Sequence, residues 1–485
     1  MTGRVAASST EAGAGPRAAD ALETVWLTRF IAAVALLVAV GLAIDLGATK
    51  NFGWDAHVNC AAVDAHLVGL DPYFVKNLRD TELSYPYLPV TLDAFRPLCA
   101  GGFLVGHYRS IYLVLAVLCA LLLPGLGNGR PGPHDIALRV VFAFGGFLGF
   151  EWIMATGNFA VLSGLLTATA LALLLRSARS EGEGAFLPLL AGAAVLGLVT
   201  SFKLVFFPVL AALYFLPQKR HRKLILIAVA AAMFALPILI SATLYASLFP
   251  SWLSAISGQI PGQHAPGNEV NPSLLFLALT LADHFALAGS KPVVAVLYAF
   301  AAVTFVLAPL AVSVWRMVRA ENPSAKGSPL AMLDRWLIDH PGMAKRITVL
   351  AMYALYLCAP RLKEYAFFEL ALYAAVLVVD LPAAALAAVL TVAIVAPTLA
   401  SISGNAFMGG FGQLATALVC FWILLPRRSA PSDLVVRAAG VEPAQRLRTA
   451  AQEHTSTHAQ HRSDTSTTLP MPKPASVGMH YCKRA

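Results

Sequence analysis

The chain has 485 residues, of which 58% are hydrophobic and only 13% charged, and it carries a formal net charge of +9. A soluble domain carries about 25% charged residues, so this composition excludes a water-soluble globular fold. Lys and Arg gather in short loops and in the C-terminal tail, as on the cytoplasmic side of a membrane protein, so the positive charge reads as a topology signal and nucleic-acid binding is excluded.

Residues 1–25 are rich in Ala, Gly and Ser and read as a disordered cytoplasmic N-terminus. No short apolar stretch begins close to Met1, so the run 26–46 is expected to be a retained first helix rather than a cleaved signal. A polar stretch, 47–85, follows. The segment 86–104 contains Pro89, Asp93, Arg96 and Pro97, and it reads as an interfacial or re-entrant helix rather than a crossing. Further apolar runs fall at 108–126, 136–153, 158–176, 186–200, 202–217, 223–246, 292–317, 347–360, 365–380, 382–403 and 407–425. Runs of this kind suit helices crossing roughly 30 Å of hydrocarbon. The expected fold is an all-α polytopic bundle of about 12 transmembrane helices over 26–426, with a disordered cytoplasmic tail at 427–485.

With the N-terminus inside, Arg130, Arg176, Arg179, the run Lys219-Arg220-His221-Arg222-Lys223, the loop 318–346 and Arg427-Arg428 all fall inside. Letting 86–104 span would flip this parity against the positive-inside rule. The same arrangement gathers five segments outside: 47–85, Gly157-Asn158, Thr200-Ser201-Phe202-Lys203, 247–291 and Pro360-Arg361-Leu362-Lys363-Glu364-Tyr365. Polar groups converging where helix ends meet are the signature of a site.

Asp55, just past the first helix, suits a general base, or equally a helix cap or solvated loop acid. Asp71-Pro72, ahead of Tyr73, reads first as a turn starter. Lys203 is either a snorkelling anchor or a phosphate contact. Arg361 and Lys363 run against the charge bias, and Arg holds phosphate oxygens bidentately. The alternative there is local pairing with Glu364 beside Tyr365. Loop 247–291 offers Trp252, Gln259, Gln263, His264, Asn268, Glu269 and Asn271 for sugar contacts, or is a plain surface loop. The six cysteines show no metal spacing and read mostly as small apolar fillers. Cys60 and Cys99 flank one extramembrane region, where a pairing stays open. His57 and His66 near Asp55 do not make a metal site by spacing, so no metal or other cofactor is assigned, and metal dependence is left open.

Asp55 after the first helix, Gly69-Leu70-Asp71-Pro72-Tyr73, Tyr85-Pro86-Tyr87-Leu88, Gly157-Asn158 before a crossing, and Lys203 ahead of Phe206-Phe207-Pro208 follow one another in an order that resembles GT-C type membrane glycosyltransferases. The pattern is most similar to family 87, which includes the polyprenol-phosphate-mannose-dependent phosphatidylinositol-mannoside mannosyltransferases. The resemblance runs over about 25–425. Two departures stand out: the family's Tyr-Pro-Pro is Tyr85-Pro86-Tyr87 here, and the His-rich late outer segment of some members is replaced by 360–365.

The resemblance implies a GT-C-like bundle whose first outer loop carries interfacial helices. It implies transfer of mannose or a similar sugar from a polyprenyl-phosphate donor to a lipid or glycan acceptor, with inversion, on the non-cytoplasmic face of a bacterial plasma membrane. Asp55 would be the catalytic base, and Arg361, Lys363 and Lys203 would hold the donor phosphate. Asp71, Tyr73, Tyr85, Asn158, His264, Glu364 and Tyr365 would contact substrate. The partners are then the donor, the acceptor and membrane lipids. A secondary transporter or flippase for a lipid-linked sugar is the alternative, but no internal repeat of the transporter kind is visible. A non-catalytic envelope subunit is the third option.

Overall fold

The computed structural model describes residues 15–48, 53–126, 131–178, 186–257, 271–287, 289–321, 328–404 and 411–426. Of the stretch 1–25, expected to be disordered, residues 1–14 lie outside the described residues, as do the tail 427–485 and His264, whereas 15–25 form the start of the first helix, because it extends beyond the apolar run 26–46. Every regular element among the described residues is a helix. In chain order these are α1 (Gly15–Ala48), α2 (Trp54–Leu67), α3 (Val90–Cys99), α4 (Phe103–Leu122), α5 (Pro133–Gly145), α6 (Gly149–Thr156), α7 (Ala160–Ser177), α8 (Phe186–Ser201), a 3-10 helix (Leu204–Phe215), α9 (Arg220–Leu244), α10 (Phe249–Ile256), α11 (Leu274–His284), α12 (Lys291–Ala302), α13 (Ala308–Glu321), α14 (Pro329–Asp339), α15 (Pro341–Leu357), α16 (Phe367–Leu377), α17 (Ala383–Leu390), α18 (Ala396–Ile402) and α19 (Gly412–Leu424), with short 3-10 and π turns joining several of them.

Seven apolar helical stretches among the described residues are long enough to cross a membrane: Val25–Ile44, Val90–Leu122, Pro133–Thr156, Ala160–Ser177, Arg220–Leu244, Lys291–Glu321 and Ala383–Ile402. The protein is therefore a multi-pass membrane protein. The sequence expectation is about 12; these seven are the stretches among the described residues that meet the length and apolarity of a span, and shorter apolar helices stand beside them. Phe186–Ser201, Leu204–Phe215 and Gly412–Leu424 are shorter apolar helices. The second of these has 12 residues, and its 3-10 rise of about 2.0 Å per residue carries the chain further than an α-helix of that length. α16, expected as the crossing 365–380, has all 11 of its residues buried. It packs against α5, α7, α15 and α19, and a helix apolar all round is what such a central position requires.

The segment 86–104 does not form a separate spanning helix. α3 has 10 residues, about 15 Å at 1.5 Å per residue, or half the hydrocarbon thickness. It stops at Gly101 and Gly102, whose φ values of 61° and 72° break it from α4. It buries Thr91, Leu92, Phe95 and Cys99 and exposes Asp93 and Arg96, the pattern of a helix lying along a surface. The pairing left open by composition is present: Cys60 of α2 is bonded to Cys99 of α3. On the far side of the bundle, one residue of the basic run is structural. Lys223 is fully buried and pairs with Asp334 of α14 at 2.8 Å, while Tyr214 donates to the other carboxylate oxygen at 3.2 Å.

The cystine fixes α3 to the helix that carries Asp55. Peptide mapping without reductant is expected to recover a Cys60–Cys99 linked fragment. The double substitution of Cys60 and Cys99 by Ser is expected to destabilise the protein by about 2–4 kcal/mol, read as a lower melting temperature in detergent.

Candidate functional site

Two glycines bring the site together. Gly53 starts α2 at φ +92°, and its amide donates to Ala155 O at 2.8 Å. Gly157 ends α6 at φ +70°. A Cβ on Gly157 would lie 2.9 Å from the Ala56 Cβ and 3.2 Å from the Gly53 Cα, so only glycine lets the two backbones approach. Two tyrosines of α4 hold this junction from behind: Tyr108 donates to Met154 O at 3.1 Å and Tyr112 to Gly157 O at 3.0 Å.

The junction sets Asp55, in the first turn of α2, against Asn158 at the entrance to α7. The Asn158 side chain is oriented by its neighbours. Its Oδ1 accepts from Ala160 N at 2.9 Å, capping α7, and its Nδ2 donates to Asp55 Oδ2 at 2.7 Å. Thr156 adds a second side-chain contact to the carboxylate. Burial raises the Asp55 carboxyl above the usual aspartate range; the hydrogen bonds from Asn158 and Thr156 and the charges of Lys203 and Lys363 act in the opposite direction. Burial thus makes the group a better base, and the donors limit how far it becomes a neutral acid.

The cationic groups face the same point. Lys203 lies in the turn between α8 and the 3-10 helix, with its Nζ 4.2 Å from the centre of the Tyr365 ring. That Nζ is buried and has no hydrogen-bond acceptor. Burial brings its pKa down to about 8, although the charges of Glu369 and Asp55 push it up. Arg361 acts electrostatically on Lys203, Tyr87 and Tyr365, and Lys363 on Asp55. Their turn is pinned: Leu362 N donates to Asn271 Oδ1 at 2.9 Å and Ser273 Oγ to Pro360 O at 2.9 Å. Glu364 opens a short 3-10 turn that ends at Ala366. Asp55 and Asn158 are hydrogen-bonded and Lys203 lies against Tyr365, while the charge of Lys363 acts on Asp55 and that of Arg361 on Lys203 and Tyr365.

The remaining sequence candidates are placed differently. Asp71 Oδ1 accepts from Tyr73 N at 2.9 Å, and the Asp71 carbonyl accepts from Asn77 Nδ2 at 2.7 Å; Asp71 shapes its own turn. Tyr73 donates to Tyr87 O at 2.8 Å, and Tyr85 pairs with Thr91 Oγ1 at 2.5 Å. Both rings are fully buried. They start an aromatic row that continues through Tyr87 and Phe95 to Phe159. Trp252 is buried, with its indole N–H directed at Pro86 O at 3.4 Å, so it braces the loop.

Two residues went unnoticed in the sequence. Tyr87 interacts with the Asn158 side chain and with the charges of Asp55 and Arg361; its place third in the row, and not its type, sets it apart from Tyr73 and Tyr85. Glu369 sits inside α16, accepting from Ser163 Oγ at 2.5 Å and Thr167 Oγ1 at 3.4 Å. An acid inside the apolar run Phe367-Phe368-Glu369-Leu370 was the available signal. Among the described residues no group of three or more His, Cys, Asp or Glu is placed to hold a metal.

The fold and site are those of a multi-pass helical membrane protein with a buried acid among cationic and tyrosine side chains. The family model of glycosyltransferase family 87 matches residues 89–338, more than half of the chain, and the chain belongs to that family. It is a membrane glycosyltransferase and acts with a sugar donor and an acceptor. No curated protein and no solved structure matches the chain. The matched stretch holds Asn158 and Lys203; Asp55 precedes it, and Arg361, Lys363 and Glu369 follow it.

Removing the Asn158 amide removes a hydrogen bond that favours the ionised carboxylate. With a charge-assisted bond worth about 1.5–3 kcal/mol, Asn158→Ala is expected to move the acid limb of the pH–activity profile upward by about one to two pH units. An unmoved limb would mean that Asp55 is not the group titrating there.

Proposed function

We propose that the chain transfers mannose or a similar sugar from a polyprenyl-phosphate donor to a hydroxyl of a lipid or glycan acceptor on the non-cytoplasmic face, with inversion. The observation that carries this reading is the acid Asp55, held by Asn158 within a site that also contains Lys203, Arg361 and Lys363.

Asp55 takes the proton of the acceptor hydroxyl as its oxygen attacks the anomeric carbon. The bond from that carbon to the phosphate oxygen breaks, and polyprenyl phosphate leaves with the electron pair. Positive groups already in place where negative charge develops stabilise the transition state without reorganisation, and Lys203, Arg361 and Lys363 fill that role. Glu364 and Tyr365 contact the substrate at the same turn. Tyr73 and Tyr85 support Tyr87 from behind, and Asp71 fixes the loop they stand on. The donor's chain stays in the bilayer while its phosphate reaches the cleft from the side.

Two independent features support the sidedness. The basic loops fall on the side opposite Asp55 in the charge-based topology, with both termini cytoplasmic. The Cys60–Cys99 bond suits an oxidising compartment. Neither feature is needed by a flippase, whose coupling residues belong near the bilayer midplane.

The test is to incubate purified protein with a panel of polyprenyl-phosphate sugars and acceptors and follow released polyprenyl phosphate. Wild type is expected to release it with at least one donor. Asp55→Asn is expected to lower turnover by about 10²–10⁴-fold while retaining donor binding. No release from any donor, or full turnover by Asp55→Asn, would sink the reading.

A further inference from the structure

Glu369 is a group the proposed transfer does not use. A carboxylate within a helix buried along its whole length costs several kcal/mol unless it is compensated, and an apolar side chain would fill the position without that penalty. The groups facing it are Ser163 and Thr167 of α7, Cys119 of α4, Tyr356 of α15, Tyr373 of α16, and the charge of Lys203. The hydroxyls hold the carboxylate in place. Lys203 is the cation among these groups.

From the Lys203 side the relation is reciprocal. Its ammonium faces Glu369 of α16, Asp55 of α2, and Arg361 and Tyr365 of the turn before α16; among the charges that favour the ammonium, Glu369 acts most strongly, ahead of Asp55. Lys203 and Glu369 line one small cavity, together with Ser163, Thr200, Tyr356 and Tyr373. The charge of Lys203 is thus favoured by two acids, Glu369 on its own cavity and Asp55 of α2.

The two acids cannot serve Lys203 equally during the reaction. When Asp55 accepts the acceptor proton it becomes neutral, and Lys203 loses that partner as charge develops on the departing phosphate. Glu369, buried within α16 and accepting from Ser163 and Thr167, takes no part in this proton transfer and keeps its charge. We propose that Glu369 is a positioning residue for sugar transfer: its buried carboxylate, lining the same cavity as the Lys203 ammonium without touching it, keeps that ammonium charged while the phosphate departs. The proposal rests on Lys203 being a donor-phosphate contact.

The test compares wild type with Glu369→Gln, which keeps the side-chain shape and one acceptor oxygen for the hydroxyls of Ser163 and Thr167 but removes the charge. The first readout needs no donor: acetic-anhydride labelling of Lys203 against pH, followed by peptide mass spectrometry. Loss of the carboxylate disfavours the ammonium, so the labelling midpoint, about 8 in wild type, is expected to fall by about one pH unit or more. The second readout is the alkaline limb of kcat/KM for polyprenyl phosphate release, expected to move down with it, leaving transfer near pH 6.5 little changed. Glu369→Asp, which keeps the charge, is expected to restore both values towards wild type, and it serves as the comparison should Glu369→Gln be poorly folded by thermal melting. An unmoved labelling midpoint, or an equal loss of transfer at every pH, overturns the proposal in favour of a packing role. A moved midpoint with an unmoved alkaline limb also overturns it, by showing that the charge of Lys203 does not act in transfer. Failure of wild type to release polyprenyl phosphate from any donor would instead remove the underlying assignment, a result the labelling readout keeps separate.

Discussion

The hydrogen bond from Asn158 to Asp55 is the constraint on which the rest of the site depends. It joins the start of α2 to the start of α7, and it forms only because Gly53 and Gly157 let two backbones approach to a separation no side chain would permit. The same asparagine caps α7 with its oxygen, so its amide cannot rotate without uncapping a helix. A side chain with both ends committed makes a rigid donor, and a rigid donor fixes the carboxylate it serves. The tyrosines of α4 add a second layer by bonding the carbonyls on either side of the junction.

From this anchor the electrostatics follow. Burial alone would drive Asp55 towards its neutral form and Lys203 towards its neutral amine. Each is drawn back by the other, and by Lys363 in one case and Glu369 in the other. Opposing shifts of this kind give one group basicity and the other a charge that depends on its surroundings, a division of roles that suits proton abstraction beside an anionic leaving group. The site is assembled from α2, the α6–α7 and α8 turns and the turn before α16. The bundle's work is to bring these ends together, with fully buried α16 as the post around which they are arranged.

Much of this was legible in the sequence because polar residues stand out against an apolar background. Asp55, Asn158, Lys203, Arg361 and Lys363 are each readable as charges or amides at the ends of apolar runs, and the order of the first three, with the tyrosine motifs of the first loop, carries the family resemblance. The break between α3 and α4 falls within 86–104, the segment whose prolines and charges set it apart from the apolar runs. Tyr87 was not legible, since three tyrosines in one loop look alike until packing decides which of them faces Asn158. Glu369 was hidden by its surroundings, because a hydropathy window averages a single acid into the run around it. The number of crossings is not set by apolarity, which reports exclusion from water and is silent on whether lipid or protein does the excluding. The Cys60–Cys99 bond needed the fold of α2 onto α3, which spacing alone does not supply.

The most direct measurement is a structure of the protein in a lipid nanodisc with a non-hydrolysable polyprenyl-phosphonate sugar bound. The account predicts the phosphonate within hydrogen-bonding distance of Lys203 or Arg361, with the anomeric carbon turned towards the space in front of Asp55. A phosphonate bound elsewhere, with Asp55 remote from the sugar, would contradict it.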